Sequence, residues 1–393
     1  MLNAISRILS FLIKAKISSS MLKVRSAIII FFLLYSSISF ASDKALPYLS
    51  GDILLMNQSE LVQSSKGSDT KKFNTFLYSE ANFSLNFNEN FSLDTQWRSF
   101  PSLQISSNRD YNFNRYYSFY NSNRGINIDD HALVIEELKL DFKNEDLHFY
   151  LGKFDAKFGN AHEKSKRMGV FTWQFNEDYN LRENIGGGLS ALLENSIVSF
   201  STFFNDTTDL SRSAIKGRER AERKSGIAGS NGTLSSYVVE MKGKKLFNIE
   251  NLFYNFGYRN LGIDDAPNRK REQGYVFGFE YLHDLANQTK IVPLIEIVKI
   301  DNFGGAKDRN AFYYTLSTIA SYSSWSLGLT YNKREINADE EMFGKISDDM
   351  LQINIGYKIS ENMTIDFTRA KISESDSGDA NVFGANLSYL YRF

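Results

Sequence analysis

The sequence predicts an all-β chain, an antiparallel β-barrel of about 16 strands, and three observations predict it. Segments of about ten residues alternate apolar and polar side chains, the period-2 signature of a strand with one apolar and one polar face. Their connections are short and long by turns. The final segment, NLSYLYRF, alternates to its last residue. Leu387, Tyr389, Tyr391 and Phe393 share one parity and Asn386, Ser388 and Arg392 the other, with Leu390 the exception.

The elements follow in order. Strands at 50–62 and 73–87 flank the connection 63–72; alternation is poor in the first and clean in the second, through Phe83, Leu85 and Phe87. The turn NEN (88–90) leads to 91–99, whose opposite parity carries Asp94, Gln96 and Arg98. A long connection, 100–130, precedes 131–142, where Leu138, Leu140 and Phe142 oppose Glu137, Lys139 and Asp141. KNED (143–146) turns into 147–158, and 159–183 leads to 184–193, again of poor alternation, which EN (194–195) joins to 196–205. Beyond 206–232, the turn GKK (243–245) separates 233–242, with Val239 and Met241, from 247–259, with Leu252, Tyr254 and Phe256. Past 260–271 lie 272–283, with Phe277, Phe279 and Tyr281, the turn DLANQ (284–288) and 289–300. Past 301–309 lie 310–321, SYSS (321–324) and 325–335, where WSLGLTYN alternates cleanly. After 336–347 come 348–359, with LQINIGYK, then SEN (360–362) and 363–372; 373–379 leads to the last strand, 380–393.

Composition agrees. Phe (32) and Tyr (21) are abundant and Pro (4) is scarce, as suits pleated ladders that aromatics pack and Pro interrupts. No cysteine is present, which excludes disulfides, thiol catalysis and cysteine metal sites. A formal net charge of −1 gives no electrostatic case for nucleic acid. No fixed repeat of 20–50 residues suggests a solenoid or propeller.

Residues 1–41 differ. They hold Arg7, Lys14, Lys16, Lys23 and Arg25 and no acid. MLKVRSAIIIFFLLYSSISFA has a basic start at Met21, an apolar run from Ala27 to Tyr35, and Ser39 and Ala41 at −3 and −1 of a small-residue cleavage site. We expect a secretory signal in 1–41, with Met21 a candidate true start, and a barrel domain over 42–393. Without those five bases the chain is near −6. Beyond the signal no apolar run is long enough for a spanning helix.

An even strand count, tight turns at one end, long loops at the other and an aromatic alternating face match a transmembrane barrel of the outer-membrane type. Closure pairs every backbone donor and acceptor, as lipid demands. One parity would face lipid; the other, carrying Asp94, Arg98, Lys139, Thr330, Asn332, Arg334, Gln352, Asn354 and Lys358, would face a lumen too wide for side chains to fill, holding water.

In architecture, 42–393 resembles the Gram-negative outer-membrane porins, the 16-stranded barrel porin superfamily. NLSYLYRF is similar to the terminal strand recognised by the barrel-assembly machinery, and implies an assembly signal in Tyr389, Tyr391 and Phe393. LHFYLGKFDAKFGNAHE (147–163) is similar to the porin strand that runs into an internal loop. The resemblance implies short periplasmic turns, long extracellular loops and a third loop, here 159–183, folded into the lumen. It implies a constriction built from Glu163, Lys164, Lys166, Arg167, Glu177, Asp178 and Arg182, facing wall bases Arg98, Lys139, Lys153, Lys157 and Arg334. The mixed charges of this loop depart from the usual acidic loop. It further implies passive diffusion of small hydrophilic solutes and ions, a homotrimer, outer-membrane lipid and lipopolysaccharide as surroundings, and no cofactor. The alternatives are a sugar- or anion-selective channel, or a barrel adhesin or enzyme working at the outer rim.

Other segments carry less. RDYNFNRYYSFYNSNRG (109–125) interleaves aromatics with arginines and reads as a loop packed on the rim or on a neighbouring subunit. KGRERAERK (216–224) reads as a solvated loop near lipopolysaccharide. His148 and His283 fall at the tight-turn end, His131 and His162 at the long-loop end, and no pair has metal-ligand spacing on one strand. In IGGGLS (185–190) small residues are expected to permit a close approach of loop or wall.

Overall fold

The computed structural model describes residues 46–64, 72–101, 125–126, 131–168, 171, 173–214, 227–264, 267–285, 288–337, 345–375 and 378–393. The strands, in chain order, are β1 (Tyr48–Ser64), β2 (Lys72–Asn86), β3 (Phe91–Pro101), β4 (Gly125–Ile126), β5 (His131–Lys143), β6 (Leu147–Ala156), β7 (Leu181–Leu193), β8 (Ser196–Asn205) and β9 (Ser236–Lys244). They continue as β10 (Leu252–Leu261), β11 (Glu272–Tyr281), β12 (His283–Asp284), β13 (Thr289–Asp301), β14 (Asn310–Tyr322), β15 (Trp325–Asn337), β16 (Ile346–Ser360), β17 (Met363–Glu374) and β18 (Gly378–Arg392).

Sixteen of these are long and antiparallel to both neighbours; the two-residue β4 and β12 are additions on the ladders of β2 and β13. The barrel closes between β1 and β18, where Asp52 to Ser64 pair with Arg392 to Ala380. Closure leaves no sheet edge for water or lipid to satisfy. The chain ends inside this seam: Phe393 and Gly51 exchange backbone hydrogen bonds of 3.1 and 3.2 Å, and the Phe393 ring lies 6.1 Å from that of Phe83.

The expected strands are found within a few residues, with one clear exception. The strand expected from 247 begins at Leu252. Lys245, Phe247, Asn248 and Asn251 all take positive φ, so LFNIEN is a coiled turn. Asn tolerates that conformation at little cost, a signal stronger than the apolar residues beside it.

The two faces sort as the alternation predicts. Leu140, Phe142, Met241, Phe277, Leu327, Leu329, Leu351, Ile353 and Ile355 stand exposed on the outer wall. Such a belt around the barrel is far more apolar surface than a water-soluble monomer carries. Aromatic pairs mark its tight-turn margin, as Trp325 with Tyr357 at 4.6 Å and Phe87 with Phe91 at 5.5 Å.

The inner face departs from a uniformly wet lumen. Toward the long loops, Val276, Val298, Ile300, Ala311, Tyr313, Ile336 and Ile346 join one buried apolar cluster with Phe158, Tyr179 and Phe303. A second holds Val62, Met350, Ala370, Ile372 and Val382 around Phe171 and Phe175. Part of the interior is therefore packed, because the loop between β6 and β7 folds in and needs an apolar seat. Burial contributes about 1.5–3 kcal/mol for each large apolar side chain.

Candidate functional site: the inward loop

The loop between β6 and β7 contains α1 (Ala161–Met168), α2 (Trp173–Asn176) and a 3₁₀ turn, Glu177–Tyr179. It is the third of the long connections, as expected. Its first step off the wall is Gly159, at φ +88°, where a Cβ would lie 3.0 Å from Glu296 Oε1. Glycine is needed there both for the positive φ and for the close approach.

That approach docks α1 on Glu296 of β13. Glu296 Oε2 accepts the N–H groups of Asn160 and Ala161 at 2.6 and 3.0 Å, while Tyr179 Oη donates to Oε1 at 2.7 Å. A carboxylate at a helix N-terminus meets unpaired donors and the positive end of the dipole. The next turn of α1 is fixed by an ion pair between Lys164 and Glu280 of β11. Arg259 of β10 donates to the Tyr179 carbonyl at 2.6 Å, pairs with Glu272 at 2.6 Å and stacks on Phe158.

Further along, Asp178 meets Arg334 of β15 at 2.7 Å, and Arg334 also pairs with Asp348 of β16 and lies over the Phe175 ring. Asn176 Oδ1 accepts from Thr315 of β14 at 2.9 Å, and the Phe171 N–H donates to Gln352 at 3.3 Å. The loop thus grips β10, β11 and β13 through β16.

On the other side runs a chain of alternating charge. Glu80 of β2 lies 3.7 Å from Arg98 of β3, and Arg98 pairs with Glu136 of β5 at 2.6 Å. Glu136 pairs with Arg182 of β7 at 3.0 Å, and Arg182 with Glu177 of the loop at 2.7 Å. Arg182 also donates to His162 Nε2 at 2.8 Å, which puts the ring proton on Nδ1, facing Glu177 at 3.4 Å. Tyr78 lies beneath the Arg98 guanidinium and donates to Glu80 at 2.7 Å.

The predicted residues therefore divide. Arg182, Glu177, Asp178, Arg334 and Lys164 are brought to the contacts between loop and wall, and Arg98 stands behind them on the wall, paired with Glu136. Lys139 pairs with Glu137 on its own strand at 2.6 Å, and Lys157 with Glu163 at the loop base at 2.9 Å. Lys153 does not line a lumen. Its ammonium is fully buried between Glu183 and Asp206, at 2.9 and 2.8 Å, beneath the Leu210 carbonyl. The side chains of Lys166 and Arg167 lie outside the described residues, as do residues 109–124, residues 216–224 and the His131 side chain. The glycines of 185–190 do permit a close approach: a Cβ on Gly188 would lie 2.3 Å from the Tyr150 ring.

Glu136, Glu280, Glu296 and Asp348 escape the sequence reading. A bulge explains Glu136: Gln96 pairs with Glu137 but Trp97 with Ile135, so neighbouring glutamates both point inward. The adjacent acids in VIEELKL are its only sequence signal. The others act across 100 residues or more, or across a neighbouring strand, where alternation shows the face but not the partner.

Titration follows these surroundings. The Lys157 side chain is half exposed; the surrounding wall still disfavours its charge, but the Glu163 carboxylate, with Glu137 and Asp155, outweighs this and raises the pKa. The wall likewise opposes charge on the partly exposed Glu163, yet Lys157 and Lys242 hold its carboxyl below the ordinary range. Burial pushes the Tyr179 phenol well up, aided by the charge on Glu296. Among the described residues no group of three or more His, Cys, Asp or Glu could hold a metal ion.

The closed barrel is shared with solved structures. Salmonella typhi OmpF in complex with daunomycin matches with a TM-score of 0.57 at 10% identity, covering 88% of this chain and 98% of that one. The chain has the porin fold. An anion-selective porin from Comamonas acidovorans matches with a TM-score of 0.56 at 8% identity, over 88% and 99% of the two chains. Acinetobacter baumannii OccAB4 matches at 0.51 and 7% identity, over 88% and 99%. No family model and no curated protein matches the sequence. At such identities the porin fold is what is shared; the charges on the loop and wall belong to this chain.

Proposed function

We propose that the protein is an outer-membrane channel through which small hydrophilic solutes and ions diffuse passively. The observation that carries this reading is the inward loop. It is tied by Glu296, Glu280 and Arg334 to one wall and by Arg182 to the other, inside a closed barrel with an apolar outer belt. Fixed in this way, a loop narrows a lumen without sealing it by unfolding or refolding. Its filter is width and charge.

The charges are paired as they approach the loop, Arg98 with Glu136 and Arg182 with Glu177, rather than sorted into an acidic loop and a basic wall. Such pairing favours weak ion preference and no covalent chemistry. Export by a signal in 1–41, cleaved before the barrel assembles, and recognition of Tyr389, Tyr391 and Phe393 by the assembly machinery belong to the same reading. So does a homotrimer. Asn57, Ser59, Thr75 and Ser79 lie on the outward parity of β1 and β2, with Ser59 and Thr75 hydrogen-bonded at 2.8 Å. Polar groups on a lipid-facing wall are better placed against another copy.

Planar-bilayer recording of refolded 42–393 in a salt gradient tests the proposal. Stepwise conductance, in groups of three for a trimer, is the expected result. Folded protein that inserts without conducting overturns it.

A further inference from the structure

On β16 and β17, charge enters the apolar belt of the outer wall. On β16 the outward residues Ile355, Ile353 and Leu351 are apolar, and the first charged one is Asp349. Along the same rows on β17, Ile353 pairs with Arg369 and Leu351 with Lys371. On β18 the residues in these rows are Phe383 and Asn381. Basic charge on β17 thus reaches two outward positions deeper than charge on β16.

Arg369 is not spent on an acid of the barrel, and Lys371 is held only loosely by one. Arg369 lies over the Phe383 ring, 5.5 Å from its centroid, and has no carboxylate partner among the described residues. Lys371 reaches Asp379 only at 3.9 Å, with 64% of its side chain exposed. Elsewhere on this margin the outward lysines are closely paired, Lys333 with Glu335 at 2.5 Å and Lys299 with Asp301 at 3.3 Å. Around Arg369 stand the exposed apolar side chains Ile353, Phe367 and Phe383, a surface suited to an acyl chain.

We infer that Arg369 and Lys371 form a site for the phosphate of an anionic lipid in the outer leaflet, its chain lying against Phe367, Ile353 and Phe383. The inference rests on the outer-membrane reading above. Between long-loop rim and apolar belt the available anions are lipid headgroups. Guanidinium binds phosphate oxygens through paired N–H groups, and an ammonium one position outward adds a second charge. Both stems are long enough to carry their heads toward the interface while their methylenes cover apolar surface.

The test uses the refolded barrel in vesicles of phosphatidylcholine with or without phosphatidylglycerol, extracted gently and weighed by native mass spectrometry for retained lipid. Wild type should retain phosphatidylglycerol in preference to phosphatidylcholine. Arg369→Gln with Lys371→Gln should weaken that retention about tenfold. Arg369→Lys, which keeps the charge, should retain most of it. These positions face outward, and unchanged far-ultraviolet dichroism checks that the variants fold. Equal retention by wild type and the double variant overturns the site. So does a double variant that loses subunit association while keeping its lipid, because the patch would then be a contact between copies. A barrel that retains the lipid but passes no current refutes the channel reading alone; one that conducts with unchanged retention refutes the lipid site alone.

Discussion

Asp178 and Arg334, 156 residues apart in sequence, meet at 2.7 Å, and Arg334 is closed in further by Asp348 and the ring of Phe175. The guanidinium is nearly inaccessible, so it bonds the loop to the wall in a place where water cannot substitute for it. Arg334→Gln should destabilise the barrel by about 3–5 kcal/mol, because Asp348 is left buried without its counter-charge. Asp178→Asn should cost less, since Asp178 remains partly hydrated. Urea unfolding of the two variants in lipid vesicles checks the order. Equal losses would mean that Asp348, not Asp178, is indifferent to the arginine.

Glu296 holds the other end of the loop by accepting N–H groups from Asn160 and Ala161. Truncation to alanine leaves two helix N-terminal donors and the Tyr179 hydroxyl without this acceptor, at about 1–3 kcal/mol for a buried group left unmade. Glu296→Ala should therefore raise open-channel noise and shorten open times, while Glu296→Gln, which retains one acceptor oxygen, should lie between. Single-channel recording separates this from a change in pore size, which would alter mean conductance without noise.

Much of this architecture was legible in the sequence because period-2 alternation is local. WSLGLTYN and LQINIGYK each show one apolar and one polar face, and their strands were found where expected. The third long loop followed from counting turns. Partners were harder to read. Glu136 was hidden by a bulge that alternation does not record. Val298 and Ile300 face inward yet are apolar, because the folded loop, rather than water, covers them. Lys153 looked like a wall base by its place on a strand, but the turn at Asp209–Ser211 closes over it.

The hold on the loop should vary with pH in two limbs. Glu163 has a depressed folded pKa, so its contribution is present above the ordinary carboxylate range and is lost as pH falls through that depressed value. Lys157 and Tyr179 have raised pKa values, so theirs are present below the ordinary lysine and tyrosine values and are lost as pH rises through the folded ones. The summed contribution of these three groups to stability against urea should be constant between about pH 6 and pH 9 and decline on either side. Glu163→Gln should flatten part of the acid limb and Tyr179→Phe part of the alkaline one. An acid limb unchanged in Glu163→Gln would place that titration elsewhere.

In the proposed channel, the chain from Arg98 through Glu136 and Arg182 to Glu177 would make ion preference a matter of which pair is broken. Arg98, Arg182 and Glu177 are partly hydrated, 13%, 17% and 23% exposed at the side chain, while Glu136 is buried between the two arginines, so in the proposed channel passing ions would sense their net charge. Arg182→Gln removes one positive charge and frees both Glu136 and Glu177 from their shared partner. The reversal potential in a salt gradient should then shift toward cation preference. Glu136→Gln removes one negative charge from between two arginines and should shift it the opposite way. Low salt should enlarge both shifts, because screening over about 10 Å at 0.1 M weakens them. Shifts of the same sign in the two variants would mean that loop displacement, not charge, sets the preference. Shifts of opposite sign with little change in conductance would show that paired charge tunes a fixed opening.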